Sequence, residues 1–559
     1  MSNDRPWWRD AVIYQVYPRS FNDTDGDGIG DIPGIIEKLD YFEELGVDAL
    51  WLSPVYDSPN VDNGYDVSDY RAIMTEFGTM DDWEDLIDGL HERGMRLIMD
   101  MVLNHTSTDH EWFQRARRGD DDYRDYYFWR ESDGETPPND WEAVWGGTAW
   151  EYDETAAASY LHLFHERQAD LDWDNPTVRE EIFEIVDWWL EKGVDGFRLD
   201  SINLISKPEG LPDTAEAEDP NGISVVANGP RVEEHLRALC ERTHAYNDVV
   251  TIGETPDLSV DRARSYVGSE TDSLSMVLNF EHVEVDRAEE GLRWEMREWE
   301  LPELKSVIER WQTGLVGDEW QGLYFNNHDQ PRAVSRFGDD GKYRRESAKV
   351  IATLLLTLRG TPFVYQGEEI GMTNPWYDDL REIQDIATRR TLAHAIENGE
   401  VSSFEEVKED INRRTRDNAR TPVQWTDGEH AGFTDGEPWL RVNDDYESVN
   451  VADARTDPDS IWHYYRDLID LRKEQPLLVD GEFELLVPDH EALFMYLRSD
   501  GDKQALVALN FDDEATTIEL PESIAGNEFE ALIGNYSDET VPAVDEALRP
   551  YEARVYEQR

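Results

Sequence analysis

Short apolar runs recur along the chain and alternate with longer stretches whose apolar positions return every three to four residues. The runs at 11–18, 49–54, 96–103, 196–202, 249–255, 275–280, 322–329 and 362–367 read as strands. The stretches at 35–45, 80–93, 176–192 and 230–245 read as amphipathic helices between them. Alternating strand and helix implies a parallel sheet, and eight such units imply a closed (β/α)8 TIM barrel, so the fold class is α/β. Polar residues gather where the strands end: at 100–105, at Asp200, at Glu254 and at Asn327-His328-Asp329. In such barrels this end carries the active site.

The spacing of the strands divides the chain further. About ninety residues separate the third strand from the fourth, far more than a usual connection. Residues 105–174 are rich in Trp, Tyr, Asp and Gly and read as a small inserted domain, with 1–104 and 175–478 forming the barrel. A second long excursion runs from 371 to about 460. From 479 to 559 the texture changes to short strand-like runs (483–487, 493–498, 504–511, 516–520) separated by Asp, Gly and Asn, which reads as an antiparallel β domain.

In the run Gly196-Phe-Arg198-Leu-Asp200-Ser201-Ile202, Arg198 and Asp200 share one face of a strand and Phe197 and Leu199 the other. A guanidinium beside a buried carboxylate favours its ionised form. Taken alone, the pair fits a structural ion pair as well as a nucleophile with its partner.

Charge changes the picture of the surface. Lys+Arg is 52 against Asp+Glu 124, a formal net charge of −72, and only nine of the basic residues are lysine. Nucleic acid and anionic membranes repel such a chain. The acids are scattered, and a self-repelling surface of this kind needs salt to screen it, so we expect a protein from a high-salt cytoplasm. The one cysteine, Cys240, excludes an intramolecular disulfide framework. The chain opens without a charged-then-apolar leader and has no apolar run of about 18 residues, so a soluble cytoplasmic protein is the expectation.

Two constellations carry chemistry. The first is Asp23-Thr-Asp25-Gly-Asp27-Gly-Ile29-Gly-Asp31, with acids at alternate positions and glycines between them. It has oxygen-ligand spacing for one structural Ca²⁺ or Mg²⁺, with the Ile29 carbonyl completing the set. It is not an EF-hand, because Gly34 stands where a bidentate Glu belongs. The second is Asp200, Glu254 and Asp329 at the ends of three strands, with Arg198, His105 and His328 on the same rim. Paired carboxylates without a Cys/His cluster or a Ser/His/Asp arrangement point to glycoside chemistry. One carboxylate attacks the anomeric carbon while the other, held protonated, donates to the leaving oxygen. No organic cofactor is implied.

Seven blocks in order make the chain similar to a known family: residues 8–21, 63–70, Asp100-Met-Val-Leu-Asn104-His105, Gly196-Phe-Arg-Leu-Asp200, Gly253-Glu254, Asn327-His328-Asp329 and Gln366-Gly-Glu-Glu369. The chain resembles the α-amylase family of glycoside hydrolases (family 13), within it the α-glucosidase and oligo-1,6-glucosidase group, over essentially its whole length. The resemblance implies a retaining mechanism: Asp200 as nucleophile, Glu254 as acid then base, Asp329 gripping sugar hydroxyls. It implies Asp66, His105, Arg198, His328 and Arg416 around the terminal glucose, and Tyr65 and Phe164 as aromatic walls. Arg416 competes for its role with Arg413 and Arg414 just before it. In the group, valine after the nucleophile goes with α-1,6 preference and threonine or alanine with α-1,4; Ser201 leans to α-1,4. The expectation is an exo-acting α-glucosidase, monomeric or a small homo-oligomer, acting on small α-glucosides of the maltose type. The alternatives are an oligo-1,6-glucosidase, a sucrose- or trehalose-active relative, and, from another class, an inactive binding subunit, which would lack the three acids.

Overall fold

The structure, a computed structural model, describes residues 5–214, 225–246, 248–288, 294–537 and 540–559. One parallel sheet contains β1 (Ile13–Val16), β2 (Ala49–Leu52), β3 (Arg96–Val102), β4 (Gly196–Asp200), β5 (Val250–Glu254), β6 (Met276–Leu278), β7 (Gly322–Leu323) and β8 (Thr361–Tyr365). Its order is β6-β5-β4-β3-β2-β1-β8-β7. A single bridge between Val277 and Gln321 joins β6 to the entry of β7 and closes the barrel. A small cavity lined by Asn279, His282, Trp311, Gln321 and Leu323 lies beside this seam.

Alternation along the strands divides inside from outside. Ile13, Trp51, Ile98, Ile252, Met276 and Phe363 pack together in one apolar cluster. Their chain neighbours Tyr14, Leu52, Met99 and Val277, with Phe197 and Leu199, belong to the larger cluster shared with the surrounding helices. Toward the strand C-termini the inner face turns polar: two residues beyond Ile98 comes Asp100, two beyond Ile252 comes Glu254, and β4 offers Arg198 and then Asp200. Parallel pairing sets Arg198 level with Asp100 and Leu199 level with Gly253. The register therefore brings the charged groups of three strands to one height.

The helices follow from pattern and caps. In Met80–Glu92 the buried residues are Trp83, Leu86, Ile87 and Leu90, a spacing that lines one helical face. A reciprocal capping box starts it: the Thr79 side chain accepts from the Asp82 N–H, and the Asp82 carboxylate accepts from the Thr79 N–H. Thr79→Ala would cost about 1 kcal/mol. Pro176–Glu191 starts with Asn175 as cap and proline in its first turn, where the missing N–H costs nothing.

After β3 the chain leaves the barrel. His105–Ser107 pairs antiparallel with Gln168–Asp170, His105 opposite Asp170. Between them lies a three-stranded sheet of Trp129–Glu131, Ala158–Leu161 and Trp150–Asp153.

The C-terminal sheet is antiparallel, with β9 (Glu482–Leu485), β10 (Leu493–Asp500), β11 (Lys503–Asn510), β12 (Phe529–Gly534) and β13 (Ala553–Gln558) in the order β9-β10-β11-β13-β12. The run at 516–520 is not a strand. It contributes one bridge, Thr516 to Leu548, and ends at Pro521, which has no N–H to continue a ladder. The sheet docks on the barrel through buried cations that donate to main-chain carbonyls. Arg498 on β10 donates to the Thr357 carbonyl of a barrel helix and to the Leu478 carbonyl at 2.8 Å. Lys305 reaches Val487 at 2.7 Å and Lys349 reaches Asn535 at 3.1 Å; burial pushes both amines down to about 8. Among the described residues no helix is long and apolar enough to cross a membrane.

Candidate active site

Arg198, fully buried in the barrel, is the hub of the polar rim. Its Nη1 donates to Asp100 Oδ1 and to Asp200 Oδ1, both at 2.8 Å. Its Nη2 meets Glu254 Oε1. Asp200 and Glu254 thus sit on neighbouring amino groups of one planar fork. Burial raises the proton affinity of both, Arg198 works against it, and repulsion from nearby carboxylates adds to the rise. Asp100 is raised by burial too, against Arg198 and a hydrogen bond of 2.8 Å from Tyr65 Oη. One guanidinium cannot neutralise three carboxylates, so Asp200 and Glu254 titrate as a coupled pair.

Asp329 behaves oppositely. Burial pushes it up, but the positive charge around it, carried at neutral pH by Arg416 and Arg420, outweighs burial and holds its carboxyl well below the usual range. Arg420 Nη2 donates at 2.6 Å and Arg416 Nη1 at 3.4 Å to its Oδ1. Its side chain is 33% exposed, open to the pocket. His328 stacks on Tyr65 with ring centroids 5.1 Å apart and planes 2° from parallel. The Gln15 amide donates to His328 Nδ1 at 2.9 Å, which leaves Nε2 as the N–H, 3.6 Å from Asp329. Burial pushes His328 down to about 3, so it is neutral. His105, also lowered by burial, places Nε2 2.9 Å from the Tyr65 carbonyl and packs 5.2 Å from Phe164.

Arg416 is the arginine that enters the pocket. Arg413 pairs with Glu409 at the surface, and Arg414 Nη1 reaches Asp286 at 3.4 Å. Arg416 Nη2 donates to Asp62 Oδ1 at 3.0 Å and its Nε to Asp385 Oδ1 at 2.7 Å. Its guanidinium lies 5.1 Å from the Trp145 ring, and Trp145 in turn packs 5.8 Å from Phe164. The wall is pinned where the inserted region meets the excursion after β8: Arg390 pairs with Glu166, and Thr391 Oγ1 donates to the Trp145 carbonyl at 3.3 Å.

One expected residue is not where the resemblance implied. Asp66 is fully buried behind the loop, and its carboxylate accepts from Ser58 Oγ, Val61 N and Asp62 N at 3.0, 2.9 and 3.0 Å. It builds the turn from behind the pocket wall, with both oxygens engaged by the loop; burial pushes it up to about 6. Asp62, four residues earlier, presents its carboxylate to Arg416 and to Gln168 Nε2. Ser201 lies at the rim with left-handed backbone, φ 41° and ψ 39°. Its N–H and Oγ donate to Glu254 Oε2 at 3.0 and 3.3 Å.

In the loop after β1, Asp23, Asp25 and Asp27 bring carboxylate oxygens within 4.8 Å of one another. An all-oxygen donor set of this kind suits a hard cation. Asp31 stands outside this group: it caps the helix Ile32–Ile36 through the Gly34 N–H at 2.6 Å and takes Thr24 on its other oxygen. The loop packs on the far excursion, Asp23 N donating to the Phe433 carbonyl and Trp439 N to the Gly28 carbonyl. At Gly28, φ is +91° and a Cβ would lie 1.9 Å from the Glu437 carbonyl oxygen, so only glycine fits.

Residues 15–481 match the model of the α-amylase catalytic domain, and 483–555 that of the maltogenic amylase C-terminal domain. The chain belongs to the α-amylase family of glycoside hydrolases. It is 49% identical over 558 residues to the oligo-1,6-glucosidase of Bacillus cereus, covering 99% of both chains. It is 45% identical to an α-glucosidase of Pediococcus pentosaceus, again covering 99% of each. The crystal structure of Bacillus licheniformis trehalose-6-phosphate hydrolase superposes with a TM-score of 0.92 at 43% identity, covering 99% of this chain and 100% of the other. The chain is accordingly a hydrolase of the glucosidase type.

Within this α-amylase-family barrel, sequence reasoning missed Asp62, Gln168, Asp385 and Arg420, and recorded Asp100 only as a polar strand end. Arg420 closes the same Arg416-Asp-Asn-Ala-Arg420 block, and a rule that buried acids need buried cations could have paired it with Asp329. Asp62 and Asp66 flank one Asn-Gly turn, and nothing in the sequence says which faces inward. Asp385 has no local signal: it reaches Arg416 from the start of the helix Ile386–Glu397, which it caps.

Proposed function

We propose that the chain is a retaining, exo-acting α-glucosidase that releases α-glucose from the non-reducing end of short α-glucosides. The observation that carries this reading is the Arg198 fork, with Asp200 and Glu254 on adjacent amino groups and Asp329 opposite. Carboxyls held this close suit retention, which needs them about 5–5.5 Å apart. Asp200 attacks the anomeric carbon while Glu254 gives its proton to the leaving oxygen, and the glycosidic bond breaks. Glu254, now ionised, takes a proton from water, whose oxygen attacks the anomeric carbon and frees Asp200. Asp329, Arg416, Asp62 and His328 grip the terminal glucose, and Tyr65, Phe164 and Trp145 wall it. A sugar hydroxyl in place of water gives transglycosylation.

Ser201 favours α-1,4 linkages of the maltose type. A second reading, oligo-1,6-glucosidase, is favoured by the name of the Bacillus cereus relative. Initial rates on maltose, isomaltose, sucrose, trehalose and trehalose 6-phosphate decide between them. Maltose fastest is expected; isomaltose fastest selects the second reading. Asp200→Asn and Glu254→Gln variants as active as the parent would overturn the mechanism.

One structural Ca²⁺ or Mg²⁺ is proposed on Asp23, Asp25 and Asp27, with the Ile29 carbonyl as a further ligand. It would tie the loop after β1 to the excursion at 433–439 and take no part in the reaction. A cytoplasmic, salt-adapted protein is proposed from the net charge of −72. Its unfolding midpoint should rise from low to molar KCl, and an unchanged midpoint would remove the salt argument.

A further inference from the structure

Ser201 is out of place by ordinary backbone preference. It follows the last residue of β4 and adopts left-handed φ and ψ of 41° and 39°, a region that residues with a side chain seldom enter. Such strain persists where the surroundings demand it. Here the turn aims both donors of Ser201 at one atom of another strand, the Oε2 of Glu254 at the end of β5. The other oxygen, Oε1, meets Arg198. Glu254 is thereby gripped at both ends, and only one grip comes from a side chain that can be altered without removing a charge.

We propose that Ser201 is a positioning residue for Glu254, its N–H and hydroxyl fixing the carboxyl plane and setting how strongly that carboxyl holds the proton it delivers to the leaving group. This rests on the glucosidase reading above and adds to Ser201 a role beyond contact with the sugar. The groups facing Glu254 are Arg198 and Asp200 on β4, Asp100 on β3, and Tyr324 and Asp329 after β7. Among the described residues, Arg198 and Ser201 are the donors to its two oxygens. A donor on Oε2 stabilises the carboxylate over the acid, so its loss leaves the proton more tightly held.

The test compares Ser201→Ala, Ser201→Gly and Ser201→Thr in the full-length enzyme, by kcat/KM against pH on maltose and on 4-nitrophenyl α-glucoside. Alanine and glycine both remove the hydroxyl, but only glycine relieves the backbone; threonine keeps the hydroxyl. The alkaline limb, where the Asp200–Glu254 pair loses its proton, should move up by about half a pH unit in the alanine and glycine variants and return in the threonine variant. Activity on maltose should fall about tenfold, and less on the aryl glucoside, whose leaving group needs little protonation. A limb that stays put in alanine and glycine while both substrates suffer equally would overturn the proposal. Failure of the glucosidase reading looks different: Glu254→Gln would then keep the parental rate on maltose.

Discussion

The two sides of the pocket use the same chemical groups in different proportion. On one side a single guanidinium, Arg198, faces Asp100, Asp200 and Glu254. On the other, Arg416 and Arg420 face Asp62, Asp329 and Asp385. Burial is severe on both sides, so the ratio of cations to acids decides the outcome. The first side is short of positive charge, its acids are raised, and it keeps a proton in play. The second is better supplied, and Asp329 and Asp385 are held ionised by their arginines against the effect of burial. A mobile proton suits bond cleavage; fixed charges suit holding hydroxyls still.

Removing charge from the two sides should therefore have opposite effects on stability. Asp200→Asn is expected to cut kcat by about 10⁴-fold or more, as loss of a nucleophile does. Because burial holds the Asp200 carboxyl well above the usual carboxylate range and so penalises its ionised form, the same variant should unfold about 2 °C higher at pH 7. Asp329→Asn should lose about 10³-fold in kcat/KM and unfold at a lower temperature, since Arg416 and Arg420 lose an ionised partner. Two variants shifting the same way in calorimetry would break the comparison.

Substituting the cation sharpens it further. Arg416→Lys keeps the charge but not the fork that spans Asp62, Asp329 and Asp385, and should cost about a hundredfold in kcat/KM, mostly in KM. Next in size is the pH dependence of stability. Asp329 and Asp385 are depressed in the folded state, so their contribution is complete above the unfolded value of about 4 and is lost as pH falls below it. Asp200 and Glu254 are raised, so the native state binds more protons than the unfolded chain above about pH 4 and stability from this pair declines as pH rises. Thermal scans of parent and Asp200→Asn should converge toward pH 4 and separate above it. The smallest effect is expected from Asp66→Asn, a few-fold rise in KM, because the residue supports Asp62 only through its turn.

Much of this site was legible before the structure. Strand alternation put Arg198 beside Asp200, and the strand ends put Glu254 and Asp329 on the same rim, since both follow from local pattern and barrel topology. What was not legible depends on contacts distant in sequence. Which of Asp62 and Asp66 turns inward depends on the hydrogen bonds of one loop. That Arg416 and not Arg414 enters the pocket depends on Asp385, Asp62 and Asp329 being assembled there. In the C-terminal sheet, Phe529–Gly534 and Ala553–Gln558 carry charges among their apolar residues and did not stand out, while 516–520 alternated well but found only one bridge. The contact of Ser201 with Glu254 spans two strands and a strained turn, which no local rule encodes.

The barrel seam has a consequence for motion. β6 and β7 are joined by one bridge, β7 is two residues long, and a cavity lies alongside, so fewer hydrogen bonds must break here than elsewhere around the ring. Amide hydrogen exchange should be fastest at Val277 and Leu323 and slowest along β3 and β4. Strand β5, which carries Glu254, is next to the edge strand β6, whereas β4 lies one strand deeper. Thermal breathing at the seam therefore reaches Glu254 before Asp200, so the proposed proton donor should lose its alignment before the proposed nucleophile as temperature rises.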